Sequence, residues 1–391
     1  MKQVIKKFSK LIYHMDKKLL LATIILFTFG LLNIVTASSR ESISYDYPLY
    51  HYFYQQIKIL GAGFIASLII INIDTKDYKK FALLAFMAVG TMLLYLLLTG
   101  DFKRGSQNWL PLPIIGSVQP SEFAKPVIIV CLALLFETFQ KKLRDKNINH
   151  YDMIAIILFT GLLFPLIIFF QKDFGTMFII VCIFGMMFLA SPILKSEKFK
   201  TILLLMGLGI SMLFIIIVAG DKKILSLEQM DRLNYFNPCS NYEDGGYQVC
   251  NGFIAINDGG LFGLGIGKSK QKYSYIPEPH TDSVFAIITE ECGLIWDLVL
   301  FSLLIFVLKR ILDLSSKANT LRGKYICLGV ATYIFMHIFI NLGGLFGLIP
   351  LTGVPLPFLS YGGSFTLSLI VSLAIIQRIS IETNKKIKRS R

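Results

Sequence analysis

Ten apolar runs, most of them within the roughly 17–25 residues that cross a bilayer's hydrocarbon core, constrain this chain more than any other feature. They are Leu19–Ala37, Ile57–Ile73, Phe81–Leu98, Phe123–Phe139, Met153–Phe170, Phe174–Ala190, Ile202–Ala219, Ser283–Leu308, Tyr325–Leu345 and Ser364–Gln377. A backbone in hydrocarbon must satisfy its own N–H and C=O groups, so each run is predicted as a helix. The expected fold class is an all-α integral membrane protein with ten transmembrane helices. Charged residues stand inside some runs, among them Lys125 and Glu137, the pair Glu290 and Glu291, and Asp297. The last run is short, and Val354–Phe358 adds apolar length beside it. No small-residue cleavage site marks a secretory signal, so the first run is expected to stay as a helix. Composition agrees, with 54% hydrophobic and only 16% charged residues, where a soluble domain has about a quarter charged. Six cysteines in 391 residues are too sparse for a disulfide scaffold.

The formal net charge of +14 could suggest nucleic acid, but its distribution says otherwise. With the N-terminus inside, segments 1–18, 74–80, 140–152, 191–200, 309–324 and 378–391 hold 27 of the 39 lysines and arginines. Most of the 25 acids lie in the remaining segments. Cytoplasmic loops carry the Lys/Arg excess, so both termini are predicted inside, with basic tails at 1–18 and 378–391. No nucleic-acid partner is expected. The inside loops hold no GxxxxGK[ST] motif and no GxGxxG motif after a strand, which argues against a cytoplasmic nucleotide-driven engine.

The substantial non-apolar material is therefore outside, at 38–56, 99–122, 221–282 and 346–363. The third is a long predicted extracellular loop between helices 7 and 8, too patterned to read as disorder. It contains glycines 259, 260, 263, 265 and 267 followed by Lys268, a pattern that fits either a phosphate-approaching backbone or a loop packed on helix tops. Glu278, His280 and Asp282 follow where the chain re-enters the membrane. A carboxylate beside an apolar helix end loses solvation, which suits a general base; Asp282 could equally cap the next helix.

Outside loop 99–122 carries Trp109 and leads into Glu122 and Lys125, three apart and so on one helix face, with Ser121 as a plausible cap. Pro126 has no N–H for the Glu122 carbonyl, which leaves that oxygen open to another partner. Charged groups at membrane depth must be paired or line a cavity, so the pair is either a site or a structural tie. Asp173 stands in a tight turn and reads as a cap or a cavity residue. Segment 346–363 is broken by proline and glycine, and so is expected to lie buried against other helices or line a cleft.

Together these stretches resemble the SEDS family of bacterial cell-wall synthases (shape, elongation, division and sporulation proteins). The matching residues are QPSEFAK at 119–125, QKDFGT at 171–176, GGLFGLGIGKSKQK at 259–272, PEPHTDSVFAIITEECG at 277–293 and PLTGVPLPFLSYGGS at 350–364. The resemblance implies ten helices and a peptidoglycan glycosyltransferase that polymerises lipid II at the outer face of the cytoplasmic membrane, releasing undecaprenyl diphosphate. It implies Asp282 as the base acting on the acceptor hydroxyl. Glu122 and Lys125 would line the same cavity, with Trp109 and Asp173 nearby. Lys125, Arg232 and Lys268 would suit the diphosphate by charge, while His280 and Ser360 belong to the matching motifs.

The resemblance further implies a class B penicillin-binding protein transpeptidase as partner, within elongation, division or sporulation machinery. No His/Cys spacing marks a metal site, and a divalent cation (Mg2+ or Mn2+) on the diphosphate stays open. The chain departs from the family at Lys172, at Cys250-Asn-Gly, at Asp258 and at Asp297, which questions where the eighth helix begins. Cys239 and Cys250 both lie outside and could pair. A lipid II flippase is the alternative function, although a transporter needs a midplane site and the candidate residues gather at the outer surface.

Overall fold

The structure, a computed structural model, describes residues 11–100, 106–112, 116–144, 150–219, 237–240, 246–274 and 276–389. It is helical almost throughout. In chain order the helices are α1 (Lys17–Ala37), α2 (Ser39–Ser44), α3 (His51–Asn72), α4 (Tyr78–Thr99), α5 (Pro120–Arg144), α6 (His150–Phe170), α7 (Phe174–Ala190) and α8 (Lys195–Ala219). There follow α9 (Tyr247–Gly259), α10 (Gln271–Ser274), α11 (Val284–Cys292), α12 (Leu294–Lys317), α13 (Leu321–Leu345) and α14 (Gly363–Arg389). A short antiparallel hairpin, β1 (Leu110–Leu112) with β2 (Gly116–Val118), pairs Leu110 with Val118.

Among the described residues six helices are long and apolar enough to cross a membrane by length and composition: α1, α3, α4 with its preceding turn, α6, α13 and α14. The four other predicted runs fall on α5, α7, α8 and the pair α11 and α12. Side chains such as Leu83, Leu84 and Leu98 on α4 are largely exposed. In water that surface would invite aggregation, whereas hydrocarbon accepts it. Helix α13 is the hub. It is buried along most of its length and packs on α5, α7 and α12, while α14 packs on α3 and α5.

Two ends of the bundle are tied by different chemistry. At one end Arg310 donates to Asp16, Arg322 donates to Glu137 and Thr75, and Glu382 accepts from Thr75 and Arg378. Asp16 also caps α1 by accepting from the Leu19 N–H. At the other end lie the hairpin, the α6–α7 turn, the 276–283 loop and the 346–362 segment.

Two expectations need correction here. The predicted single run Ser283–Leu308 is two helices broken at Gly293, where φ is 83°. That left-handed backbone suits glycine. It also admits the glycine-rich turn, because a Cβ on Gly293 would stand 2.4 Å from the Gly263 nitrogen. Asp297 consequently sits in the first turn of a new helix, where a carboxylate meets the positive end of the helix dipole. The eighth helix begins eleven residues later than read, which answers the doubt Asp297 raised.

The second correction concerns segment 221–282, read as one long loop. It contains helices α9 and α10, and Cys239 is bonded to Cys250 on α9. Residues 220–236, Arg232 among them, and 241–245 lie outside the described residues.

The glycine stretch proves to be a docking surface for backbone. Leu264 and Gly265 donate their N–H groups to the carbonyls of Glu290 and Glu291, and Leu294 donates to Gly260. Glu290 accepts from the Ser269 hydroxyl and the Lys270 N–H, and Lys272 pairs with Glu291 at 2.8 Å, both fully buried. Gly263 has φ 78°, and a Cβ there would meet the Glu291 carbonyl at 2.3 Å. Gly263→Ala is therefore expected to destabilise the protein by about 1–3 kcal/mol. Thermal unfolding in detergent should show this; a melting temperature equal to wild type would contradict the packing account.

Candidate active site

A cavity of about 490 Å3 opens at the end of the bundle away from the Asp16–Arg310 tie. Its wall comes from five separate places in the sequence: Asn108, Trp109, Gln119 and Glu122; Asp173 and Thr176; Gln248; Glu278, Thr281 and Asp282; and the 352–365 segment with Tyr361. The acids facing it are Glu122, Asp173, Glu278 and Asp282, and no described lysine or arginine lines it.

Asp282 lies at the end of a tight turn that Glu278 starts with φ 45°. The Thr281 N–H donates to the Glu278 carbonyl, and the one hydroxyl proton of Thr281 is shared between that carbonyl and Asp282 Oδ1. The helix-cap position belongs to Ser283, one residue on. Asn341 on α13 donates to the Asp282 carbonyl at 2.7 Å and to Val354 O at 2.8 Å, pinning the turn to the 346–362 segment. The Asp282 carboxylate receives the Gln248 amide and the Thr281 hydroxyl, each at 3.3 Å. A half-buried carboxylate thus stands on a rigid mount facing a polar cavity.

Beneath it is the Glu122–Lys125 pair on α5. Lys125 Nζ is fully buried, donates to Glu122 Oε1 at 2.7 Å and stands 2.9 Å from His337 Nε2. His337 Nδ1 is 3.1 Å from the Pro355 carbonyl. A carbonyl can only accept, so Nδ1 carries the proton and Nε2 receives the lysine. The Tyr333 ring adds a cation–π contact at 5.5 Å. Glu122 Oε2 has no hydrogen-bond partner, which leaves a buried acceptor at the cavity floor. The Glu122 carbonyl left open by Pro126 accepts from the Ser368 hydroxyl at 2.8 Å, as the proline predicted. Ser121 is not the cap, since α5 already begins at Pro120.

Asp173 does both things considered for it. Oδ1 accepts the Thr176 N–H and caps α7, while Oδ2 accepts from Asn108 and Gln119 at 3.0 and 2.9 Å. Trp109, Glu122, Asp173 and Asp282 therefore come together around one space. Lys125, expected on the same wall, is instead fully buried below it, its Nζ taken up by Glu122 and His337. Three other residues do not line it. His280 is buried behind the turn, against Tyr52 and Tyr361, with Nδ1 3.1 Å from Glu41. Lys268 is exposed on the glycine turn. Ser360 accepts from the Leu356 N–H and closes the 346–362 segment. The non-helical segment is buried from Leu356 to Ser360, while Phe346 and Leu348 at its start are exposed. In the inner part Val354 O, Pro355 O and Leu356 N find the side chains of Asn341, His337 and Ser360.

Reading the residues alone missed Gln248 and His337, and marked Asn341 only as the start of the glycine-broken stretch, without its hold on Asp282 and Val354. His337 and Asn341 share one face of α13 at a spacing of four, the signal that could have marked them. Gln248 carried no local signal, because its partner is 34 residues away.

Fold and cavity define a multi-pass helical membrane protein whose site is a carboxylate-lined cavity at one end of the bundle. The chain belongs to the FtsW/RodA/SpoVE family, whose model, described as "Cell cycle protein", matches residues 17–385. It is 32% identical over 390 residues to the probable peptidoglycan glycosyltransferase FtsW of Coxiella burnetii, covering 97% of this chain and 99% of that one. It is 31% identical over 372 residues to the stage V sporulation protein E of Bacillus subtilis, covering 93% and 96%. Among solved structures, Thermus thermophilus rod shape determining protein RodA superposes with a TM-score of 0.67 at 19% identity, covering 94% of this chain and 97% of that one. A chain from a structure described as the coordination of polymerization and crosslinking by a peptidoglycan synthase complex gives 0.72 at 19%, covering 94% and 98%.

Proposed function

We propose that this protein is a peptidoglycan glycosyltransferase that polymerises lipid II, with Asp282 as general base. The observation that carries the reading is the mounting of Asp282: its backbone held by Asn341, its carboxylate by Gln248 and Thr281, its face toward the cavity. In the step proposed, Asp282 takes the proton of an acceptor sugar hydroxyl as that oxygen attacks the anomeric carbon of the donor. A C–O glycosidic bond forms, the bond from anomeric carbon to diphosphate breaks, and undecaprenyl diphosphate leaves with the electron pair. Glu122 Oε2, buried and open, is placed to accept a sugar hydroxyl. The charge pattern supports ten crossings with both ends in the cytoplasm and the cavity facing out.

The donor diphosphate is anionic and the cavity wall acidic, so a divalent cation (Mg2+ or Mn2+) fits between them. Of the acids that line the cavity, Glu122 and Glu278 would hold it, leaving Asp282 as the base and Asp173 on its own hydrogen bonds. Among the described residues no three His, Cys, Asp or Glu side chains form a ready cluster, so substrate oxygens would complete such a site. When bound, the ion supplies charge neutralisation on the leaving group. A class B transpeptidase is the proposed partner, in agreement with the synthase complex that shares the fold.

Purified protein in lipid vesicles with labelled lipid II should yield glycan polymer and release undecaprenyl diphosphate. Movement of lipid II between leaflets with no polymer would replace this reading with the transporter.

A further inference from the structure

From the end of α2 into the first turn of α3 the chain reads Tyr45-Asp-Tyr47-Pro-Leu-Tyr50-His51-Tyr52-Phe53-Tyr54. None of these rings has a part in the chemistry proposed above. The turn that presents them is held by its own backbone. Asp46 is left-handed at φ 54°, the Tyr45 and Tyr47 N–H groups donate to Glu41 and Ser42, and His51 N–H donates to Pro48. Ring contacts then run without a gap from the surface to the cavity. Tyr45 stacks on Tyr47 at 6.0 Å, Tyr47 on His51 at 4.3 Å, His51 meets Tyr52 edge-on at 5.3 Å, and Tyr52 meets Tyr361 at 5.2 Å. Tyr361 lines the cavity beside Asp282. At the outer end Tyr45 and Tyr47 are 60% and 46% exposed.

Interfacial tyrosines commonly face lipid as a belt. A belt, however, needs no connection inward, and this tract leads ring by ring to the wall of the site. The electron-rich face of a phenol attracts the polarised C–H bonds on the face of a pyranose, and its hydroxyl bonds sugar hydroxyls. We propose that the tract from Tyr45 to Tyr361 is the surface on which the glycan strand is held as it extends from the cavity. The inference rests on the polymerase reading and adds the path of the polymer to it. A strand held by several weak ring contacts can advance by one unit without being released.

The test measures binding directly. Lipid-free peptidoglycan oligosaccharides lack the diphosphate leaving group, so the intact protein cannot consume them as donors. Their affinity is measured for wild type, for Y45A/Y47A and for Y45F/Y47F, each checked for an unchanged melting temperature. The alanine variant should bind about tenfold or more weakly and make markedly shorter polymer from labelled lipid II. The phenylalanine variant, which keeps the ring faces, should retain most of the affinity. No saturable binding by wild type, or equal affinity in the alanine variant, overturns the proposal. So does a variant whose only loss is in vesicle or transpeptidase association, which would assign the tract to lipid or to the partner. Polymer formation by wild type is scored separately, so the polymerase reading and the tract can fail independently.

Discussion

Asp282→Asn is expected to lower the rate of lipid II polymerisation by about 10²–10⁴-fold, the usual contribution of a general base, while leaving the fold intact. Asparagine keeps the volume of the side chain and can still meet the Gln248 amide and the Thr281 hydroxyl. The two contacts that hold the turn, from Asn341 to the Asp282 carbonyl and from Tyr361 N–H to the His280 carbonyl, use backbone and survive. What is lost is the basic oxygen. Unfolding should therefore shift by less than about 1 kcal/mol, as for other substitutions outside a packed core. Asp282→Glu keeps the charge but moves it by one methylene, and is expected to recover little, because a misplacement of about 1 Å can cost 10²-fold. Gel-resolved polymer from labelled lipid II gives the rates. Wild-type polymerisation by the asparagine variant would remove Asp282 from the mechanism.

The second large effect is on stability. Lys125→Met leaves the Glu122 carboxylate buried without its counter-ion, and breaking one partner of a buried pair costs about 3–5 kcal/mol. Glu122→Gln alone should cost a similar amount, because Lys125 is fully buried and keeps only His337 and the Tyr333 ring. Replacing both charges with neutral groups of like volume is often near neutral. The double variant E122Q/K125M should thus unfold at a higher temperature than either single variant, while failing to polymerise if Glu122 holds the substrate. Three melting curves close the cycle. Strictly additive losses would mean that the two groups do not depend on one another.

Legibility in the sequence followed the range of the interaction. Ten apolar runs marked nine helices well, because a backbone in hydrocarbon has only local partners to choose from. The tenth, Ser283–Leu308, was misread because Gly293 and the glycine turn that docks on it are thirty residues apart. Asp173 as a cap and the open carbonyl before Pro126 were readable, since both are consequences of neighbours three or four positions away. The glycine stretch was readable as close backbone approach. Packing on helix tops was readable beside phosphate approach, and only the fold showed that the target is α11. Lys268, taken with that stretch as a phosphate ligand, is accordingly exposed and away from the cavity.

The sequence by itself determined that this chain belongs in a membrane, which segments are apolar enough to form its long helices, how its positive charge is divided between alternate loops, and which motifs hold its candidate residues. These follow from hydropathy, charge count and local hydrogen bonding, all additive along the chain. Only the tertiary structure decided that Trp109, Glu122, Asp173 and Asp282 share one cavity while His280, Lys268 and Ser360 face away from it. Only packing could seat Lys125 between Glu122 and His337, and connect Tyr45 through Tyr52 to Tyr361. Those relations depend on how helices far apart in sequence pack side by side, where shape and partner geometry decide which polar groups meet.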